Sequence, residues 1–338
     1  MDKYICLDIG GTAIKYGLAD SRGRLFNKDS LPNCIAKDGV DAFLDQVMGL
    51  IGSYQKYFKV QGAAISMAGM INPQTGEVIH AAPHFPGLTG VNLVQLVSRR
   101  LQLPCWVEND VNAAALGEYW LGNGRGAKSL FCITIGTGIG GAFVWDGRLW
   151  PGHCFTAGEA GQAKLGSRIP WEEGASVTAL IRKAARLKGV EPETLNGKLL
   201  CEMVRHGDKP LHRLLRETVH QWATGIAAIC YLLNPQRVIL GGGIMAQEDL
   251  LEPMLRDSLK KELLPVVLEG TTVAFAGLGN DAGLIGALYN FLAREKKKKL
   301  TIPVIYCTIL RYHFEHAPLA PARTQRLITG YSSSLSLY

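Results

Sequence analysis

The apolar positions of the first hundred residues fall into short runs separated by turns. Tyr4–Ile9, Ile14–Ala19 and Arg24–Ser30 follow one another with little between them, which predicts three strands of an antiparallel meander. The period then changes. Across Asp38–Phe58 the residues Phe43, Leu44, Val47, Met48, Ile51 and Tyr54 recur at helical spacing. Val60–Ser66 is a short apolar strand closed by Met67-Ala68-Gly69-Met70 and a turn at Asn72-Pro73-Gln74-Thr75-Gly76. A loop carrying Pro83, Pro86, Gly87 and Gly90 leads to a helix at Leu93–Leu101, which Pro104 stops, and to a strand at Cys105–Glu108. The order β-β-β-α-β-α-β predicts a mixed sheet covered by helices.

The second half repeats the opening theme. An Ala-rich helix at Val111–Trp120 and a turn at Asn123–Gly126 precede a strand, Leu130–Ile135. A glycine-rich turn, Gly136–Gly141, and a further strand, Ala142–Trp145, follow at once. Arg148–Ile169 reads as loop. Helices are expected at Ser176–Leu187, Thr194–His206 and Lys209–Leu233, then a strand at Arg237–Leu240 running into Gly241-Gly242-Gly243. A helix around Asp249–Leu263, a strand at Thr272–Ala276 and a final helix to about Arg294 complete the body. Residues 300–338 lack sustained periodicity, contain Pro303, Pro318 and Pro321, and end in a Ser/Leu string, so they read as a poorly ordered appendage.

Composition changes this picture in three places. The 338 residues, 47% of them apolar, suit two domains with substantial cores. No apolar run is long enough to span a membrane, and the start of the chain has no apolar leader core, which makes a cytoplasmic enzyme the expectation. The eight cysteines are scattered and none forms Cys-x-x-Cys, so they read as reduced thiols, with neither a disulfide frame nor a zinc site. From Lys296 onward seven basic residues face one acid, Glu315, so that segment carries +6 of the +7 net charge. The body is close to neutral and gives no case for nucleic-acid binding.

The candidate chemistry lies at strand ends. Gly136-Thr137-Gly138-Ile139-Gly140-Gly141 between two strands has the composition of a phosphate-cradling hairpin, in which glycines reach φ > 0 and turn N–H groups inward. Thr134 and Thr137 add hydroxyls. Gly10-Gly11-Thr12 is a second strand–turn–strand element, preceded by Asp8. Neither is a Walker loop, since no Gly-Lys-Ser/Thr follows, and neither opens a helix as a dinucleotide fingerprint does. Two such hairpins, the Asn109-Asp110 pair and Gly241–Gly243, gathered at the carboxyl ends of strands, point to an ATP-using phosphotransferase. Asp110 suits the base that takes the acceptor proton, Asn109 can orient a hydroxyl, and Asp8 can hold Mg²⁺ directly or through water. Asp110 also reads as a helix N-cap before Val111, and the two roles are compatible, since a cap at a cleft-facing strand end can also meet substrate.

These residues also carry a family resemblance. Asp8-Ile9-Gly10-Gly11-Thr12, Glu108-Asn109-Asp110-Val111-Asn112, Ile135–Gly141, Ala157-Gly158-Glu159 and Leu240-Gly241-Gly242-Gly243 resemble, in order, the motif series of the ROK (repressor, open reading frame, kinase) sugar kinases. The resemblance spans about Tyr4 to Tyr289. It implies an α/β, two-domain actin-like ATPase fold of the ribonuclease-H-like type, the cofactors ATP and Mg²⁺, and transfer to a hexose, usually at its 6-hydroxyl. It implies Asp110 as the base, with Gly69, Asn109, Glu159, Gln162 and Glu172 around the sugar. It also implies Asp8, Gly10, Gly11, Thr12, Lys15, Thr134, Gly136, Thr137, Gly138, Gly140, Gly241, Gly242 and Gly243 around ATP. Glu172 is matched through Trp171-Glu172-Glu173-Gly174-Ala175-Ser176, with Glu173 the alternative if that match slips by one.

Three departures bear on substrate. Gln162 stands where most members have a His, Lys164–Pro170 holds no cysteine where most have a three-cysteine zinc cluster, and Ala68 replaces the usual proline before Gly69. Gly10–Lys15 is similar to the same turn in zinc-less β-glucoside kinases, so a β-glucoside joins the hexoses as an expected acceptor, with Lys164–Pro170 free to reshape around its anomeric carbon. Glucokinase and N-acetylmannosamine kinase activities are the alternatives. His153 and His84 are open as pocket residues or plain loop histidines. Domains are expected at 1–112 and 113–280, with the helix at 281–299 packing back on the first and 300–338 as a basic tail. A small-molecule sugar is the expected partner, with no nucleic acid or membrane, and a homodimer is left open. A ROK-type repressor would need a helix-turn-helix ahead of Asp8, where only seven residues stand. A silent sugar sensor is disfavoured by the intact Asp110 and hairpins, and a chaperone relative has no support in the sugar-type motifs.

Overall fold

The computed structural model describes residues 2–82 and 84–298; the expectations for Pro83, Cys307 and the tail at 300–338 lie outside them. Met1–Leu292 forms one compact unit and Ala293–Tyr338 a second, of which only the end of a helix over 282–298 is described.

The three opening strands form as predicted. β1 (Lys3–Ile9), β2 (Ala13–Asp20) and β3 (Leu25–Pro32) pair antiparallel, with Asp8 opposite Lys15 and Ile9 opposite Ile14 across the first turn. The turn between β2 and β3 is fixed by buried Asp20, whose carboxylate accepts the backbone N–H groups of Arg22 and Arg24 and the Arg24 guanidinium. Helix α1 (Ile35–Tyr57) starts three residues before the apolar periodicity does and carries a break at Gly39, where φ is 84°. It leads to β4 (Val60–Met67). The segment after β4 folds into a small hairpin, β5 (Met70–Ile71) with β6 (Val78–His80), too short for its period to register in the sequence. Then come α2 (Leu93–Leu101), as expected, β7 (Cys105–Asn109) and α3 (Asp110–Trp120).

The second half runs β8 (Ser129–Ile135), β9 (Ile139–Trp145) and β10 (Arg148–Leu149). The stretch read as loop thus opens with a short strand paired to β9. Next are α4 (Trp171–Ala175), α5 (Val177–Lys188), α6 (Gly197–Arg205) and α7 (Lys209–Leu233). Helix α6 begins later than expected because Asn196 caps it, accepting from Leu199 N, and Pro192–Thr194 forms a separate 3₁₀ turn. The chain then passes through β11 (Arg237–Gly241), α8 (Glu248–Glu262), α9 (Pro265–Gly270) and β12 (Thr272–Phe275). Helix α9, at six residues, escaped the sequence reading.

The two halves share one topology. One sheet has the order β3-β2-β1-β4-β7 and the other β10-β9-β8-β11-β12. In each, an antiparallel meander of three strands continues into two parallel strands. This paired arrangement, with helices on the sheets, is the actin-like ATPase fold.

Each sheet has its own core. On the first, Ile5, Leu7, Ile9 and Ile65 pack with Phe43, Val47 and Ile51 of α1 and Leu93 and Val97 of α2. Its other face, with Tyr4, Cys6 and Ala64, is covered by Leu284, Leu288 and Phe291. On the second sheet, Ile133, Val238 and Leu240 pack with Leu215, Val219, Trp222 and Ile226 of α7, and the Trp222 indole N–H donates to Ala175 O at 2.7 Å. Helix α3 covers the opposite face through Ala115 and Leu116 against Leu130, Cys132 and Ile239. Five of the seven described cysteines are buried, and burial pushes the Cys6 thiol up to about 12, the property of an inert core thiol.

One buried carboxylate joins distant parts of this frame. Glu118 near the end of α3 is fully buried and accepts N–H bonds from Asn123 (2.9 Å), Gly277 (3.0 Å) and Leu278 (2.8 Å). It thereby ties α3 to the chain leaving β12. Replacing Glu118 with Ala orphans all three donors, so urea unfolding should show a loss of about 3 kcal/mol or more. A loss below about 1 kcal/mol would mean that water takes over these bonds without cost.

Candidate active site

A cleft of about 960 Å³ collects most of the residues singled out in the sequence. Gly69, Asn109, Asp110, Thr134, Gly136, Thr137, Gly138, Gly140, Glu159, Gln162, Glu172 and Gly242 all line it. Gly243 lines an adjoining cavity of about 520 Å³, which meets the cleft at Gly136 and Thr137. Gly241 ends β11 opposite Thr134 without lining either space, and neither does His153. His84 and the alternative acid Glu173 do line the cleft.

The second hairpin is tighter than its glycine count suggests. Gly136 N donates to Gly138 O at 2.9 Å, while Gly140 and Gly141 belong to β9, opposite Thr134 and Ile133. None of Gly136, Gly138 and Gly140 has positive φ, which corrects the expected reason for glycine here. The reason is space: a Cβ on Gly138 would sit 2.6 Å from Glu172 Oε2, and one on Gly140 2.6 Å from Val111 Cγ2. Positive φ is needed at Gly242 instead, where φ is 109° just beyond β11.

Asp110 stands at the start of α3, but it does not cap the helix as the sequence allowed. Asn109 is the cap: its Oδ1 accepts from Val111 N at 2.9 Å and Asn112 N at 3.0 Å. The Asn109 amide nitrogen donates to Gly69 O at 3.0 Å and to Asp110 Oδ1 at 3.1 Å. Asn109 therefore fixes the helix start, the turn after β4 and the neighbouring acid together. Asp110 Oδ1 shares the Val111 N–H with Asn109, accepting it at 3.0 Å, while its Oδ2 has no hydrogen bond to another residue among those described. Burial raises its pKa to about 6, helped by the charges of Asp8 and Glu159, while its backbone hydrogen bonds act the other way.

Asp8, the penultimate residue of β1, lies near this acid. Ser66 Oγ donates to its Oδ1 at 2.8 Å and Lys15 Nζ lies 3.6 Å from its Oδ2. The first hairpin is closed by Gly10 N donating to Ala13 O at 3.0 Å. His84 packs over Gly11 so closely that a Cβ there would meet the imidazole, and its ring lies 4.8 Å from that of fully buried Phe85. A lone carboxylate joined by donor phosphates and water is a common Mg²⁺ donor set, and Asp8 fits it. No group of three or more His, Cys, Asp or Glu side chains among the described residues is arranged to hold a metal ion.

The other end of the cleft is acidic. Glu172 accepts from Gln162 Nε2 at 2.6 Å and from Ile139 N at 3.2 Å, which ties it to the hairpin. Burial raises the pKa of Glu159 and the Glu172 charge adds to this, while His80 opposes it. None of Lys164–Pro170 lines the cleft. The expectation that this segment reshapes the pocket is therefore corrected: Trp171 N, bonded to Ala163 O at 2.8 Å, closes it off as a surface loop. Sequence reasoning missed His80, Phe155 and Arg182, all of which line the cleft. Phe155 holds a left-handed φ of 64°, a strained conformation of the kind found at functional sites. Nothing in the local sequence signals it.

The fold and this cleft define a phosphotransferase of the actin-like class. The ROK family pattern matches residues 4–295, and the chain belongs to that family. It is 32% identical over 303 residues to a β-glucoside kinase of Listeria innocua, covering 87% of this chain and 99% of that one. It is also 32% identical over 319 residues to a glucokinase of Streptomyces coelicolor, covering 86% and 97%. A ROK glucokinase from Streptomyces griseus, solved with glucose and AMPPNP, superposes with a TM-score of 0.73 at 29% identity, over 85% of this chain and 98% of that one.

A carboxylate acting as base must be ionised, so were Asp110 the base its raised pKa would set an acid limit on the reaction. Plotted against pH, kcat/KM should fall about tenfold per unit below about 6. Stability moves the opposite way: the folded state holds this proton more tightly than the unfolded chain, so that stabilisation is lost as pH rises from about 4 through about 6. An acid limb near pH 4 would contradict the burial of Asp110 and the charges around it.

Proposed function

We propose that this ROK-family sugar kinase transfers the γ-phosphoryl group of ATP to the 6-hydroxyl of a hexose or β-glucoside. The observation that carries the reading is the Asp110 carboxylate, facing the cleft with its pKa raised to about 6. A base with a pKa near neutrality is ionised at working pH yet still attracts a hydroxyl proton as the oxygen attacks phosphorus. Asn109, held to Gly69 O, positions the acceptor beside it. Glu159, Gln162 and Glu172 hold the sugar's other hydroxyls, and the two hairpins take the donor phosphates. Asp8 would hold Mg²⁺, which neutralises phosphate charge when bound. The reduced cysteines fit a cytoplasmic setting.

The β-glucoside reading rests on the acidic end. Gln162 bonds to Glu172 there instead of bracing a metal, and Phe155 offers an apolar face in the same cleft. Such a wall suits a substituent on the anomeric carbon, where a site closed around free sugar would clash with it.

Two measurements test these assignments. Replacing Asp110 with Asn preserves shape and removes the proton acceptor, so ADP release with the best sugar should fall ~10²-fold or more while sugar still binds. Near-normal turnover would remove Asp110 from the chemistry. The ratio of kcat/KM for cellobiose to that for glucose, under saturating ATP, should be about one or higher. Glucose favoured by about a hundredfold would favour a glucokinase, and strong activity on N-acetylmannosamine alone would contradict both.

A further inference from the structure

The cleft has an unbalanced charge. Asp110, Glu159, Glu172 and Glu173 line it, and Asp8 lies nearby. The donor of the proposed reaction adds several further negative charges on its phosphates. Against these, Arg182 is the sole arginine or lysine among the described residues that line the cleft. Nearby lysines already have partners. Lys15 faces Asp8 at 3.6 Å, Lys183 donates to Gly174 O at 2.6 Å, and Lys198 lies 3.9 Å from Glu202.

The position of Arg182 is set by the fold. It lies on α5, whose first residue, Val177, donates its N–H to Gly136 O at 2.9 Å and so docks the helix on the second hairpin. Ser176 caps α5 and also lines the cleft. Arg182 lines both the cleft and the adjoining cavity, the two spaces that meet at Gly136 and Thr137. That cavity has apolar walls from Val177, Ile181, Leu195 and Ile244, suited to a flat heterocycle. The guanidinium group is exposed and has no hydrogen bond or ion pair among the described residues.

We propose that Arg182 binds the polyphosphate chain of a nucleoside di- or triphosphate where it crosses from the adjoining cavity to the second hairpin. The proposal rests on the phosphotransferase reading above and names the side chain that selects its donor. An unpaired guanidinium matches phosphate oxygens in a two-pronged manner that an ammonium does not. It also offsets the repulsion between an acidic cleft and an anionic ligand. A nucleoside monophosphate, lacking the outer phosphates, gains little from it.

The test is calorimetric titration of ATP, ADP and AMP into the wild type and into Arg182→Ala, Arg182→Gln and Arg182→Lys. No sugar is needed, so the result is independent of which acceptor the enzyme uses. Affinity for ATP and ADP should fall about tenfold or more in the Ala and Gln variants, with part restored by Lys, whereas AMP should change less than about twofold. Thermal midpoints should stay within a few degrees of the wild type, because the side chain is exposed. Equal losses for ATP and AMP, or no loss for either, would overturn the proposal while leaving the kinase reading intact. A wild type that binds none of the three would overturn the phosphotransferase reading and this proposal with it.

Discussion

The site depends on keeping a carboxylate, Asp110, among other carboxylates in a place that water reaches poorly. Burial and the nearby charges of Asp8 and Glu159 all push its proton affinity up. Left to itself such a group would move toward solvent or remain protonated. It is held by Asn109, which caps α3, bonds Gly69 O and touches Asp110 with the same side chain. With Asn109 as the cap, the helix-start bond to Asp110 engages only Oδ1. The raised pKa that costs stability at neutral pH would also make the group a competent base in the proposed transfer, the usual trade at a functional site.

The surrounding frame explains why these groups come together. Both sheets place a glycine-rich turn between their first two meander strands, and both end their parallel strands toward the same cleft. Close contacts then pin the elements. Glu172 takes the space left by Gly138, His84 takes the space beside Gly11, and Glu118 ties α3 to the chain beyond β12. In each case a residue far away in sequence fills or bonds a position that a glycine or a backbone N–H leaves open.

Much of this was legible beforehand because it is local. Strand and helix periods located β1, α2 and α7, and the order of the glycine motifs identified the family. What was not legible is set by tertiary contact. The helix cap passed from Asp110 to Asn109 because Asn109 also reaches Gly69, forty residues away in sequence. Gly138 and Gly140 of the second hairpin read as conformational, yet the structure uses them for space. Lys164–Pro170 was expected at the pocket and lies away from it, while His80 and Arg182 reach the cleft from a short hairpin and a helix face that resemble any other surface. Their spacing in the chain carries no sign of the cavity they share.

In the proposed reaction this cleft joins the phosphoryl group of ATP to a sugar hydroxyl. Phosphorus NMR of the product, after incubation with ATP, Mg²⁺ and a panel of hexoses and β-glucosides, tests it most directly. The product should be a new phosphomonoester coupled to the two protons on C6, formed in step with ADP. Phosphate on the anomeric oxygen, or inorganic phosphate with no sugar ester, would contradict it.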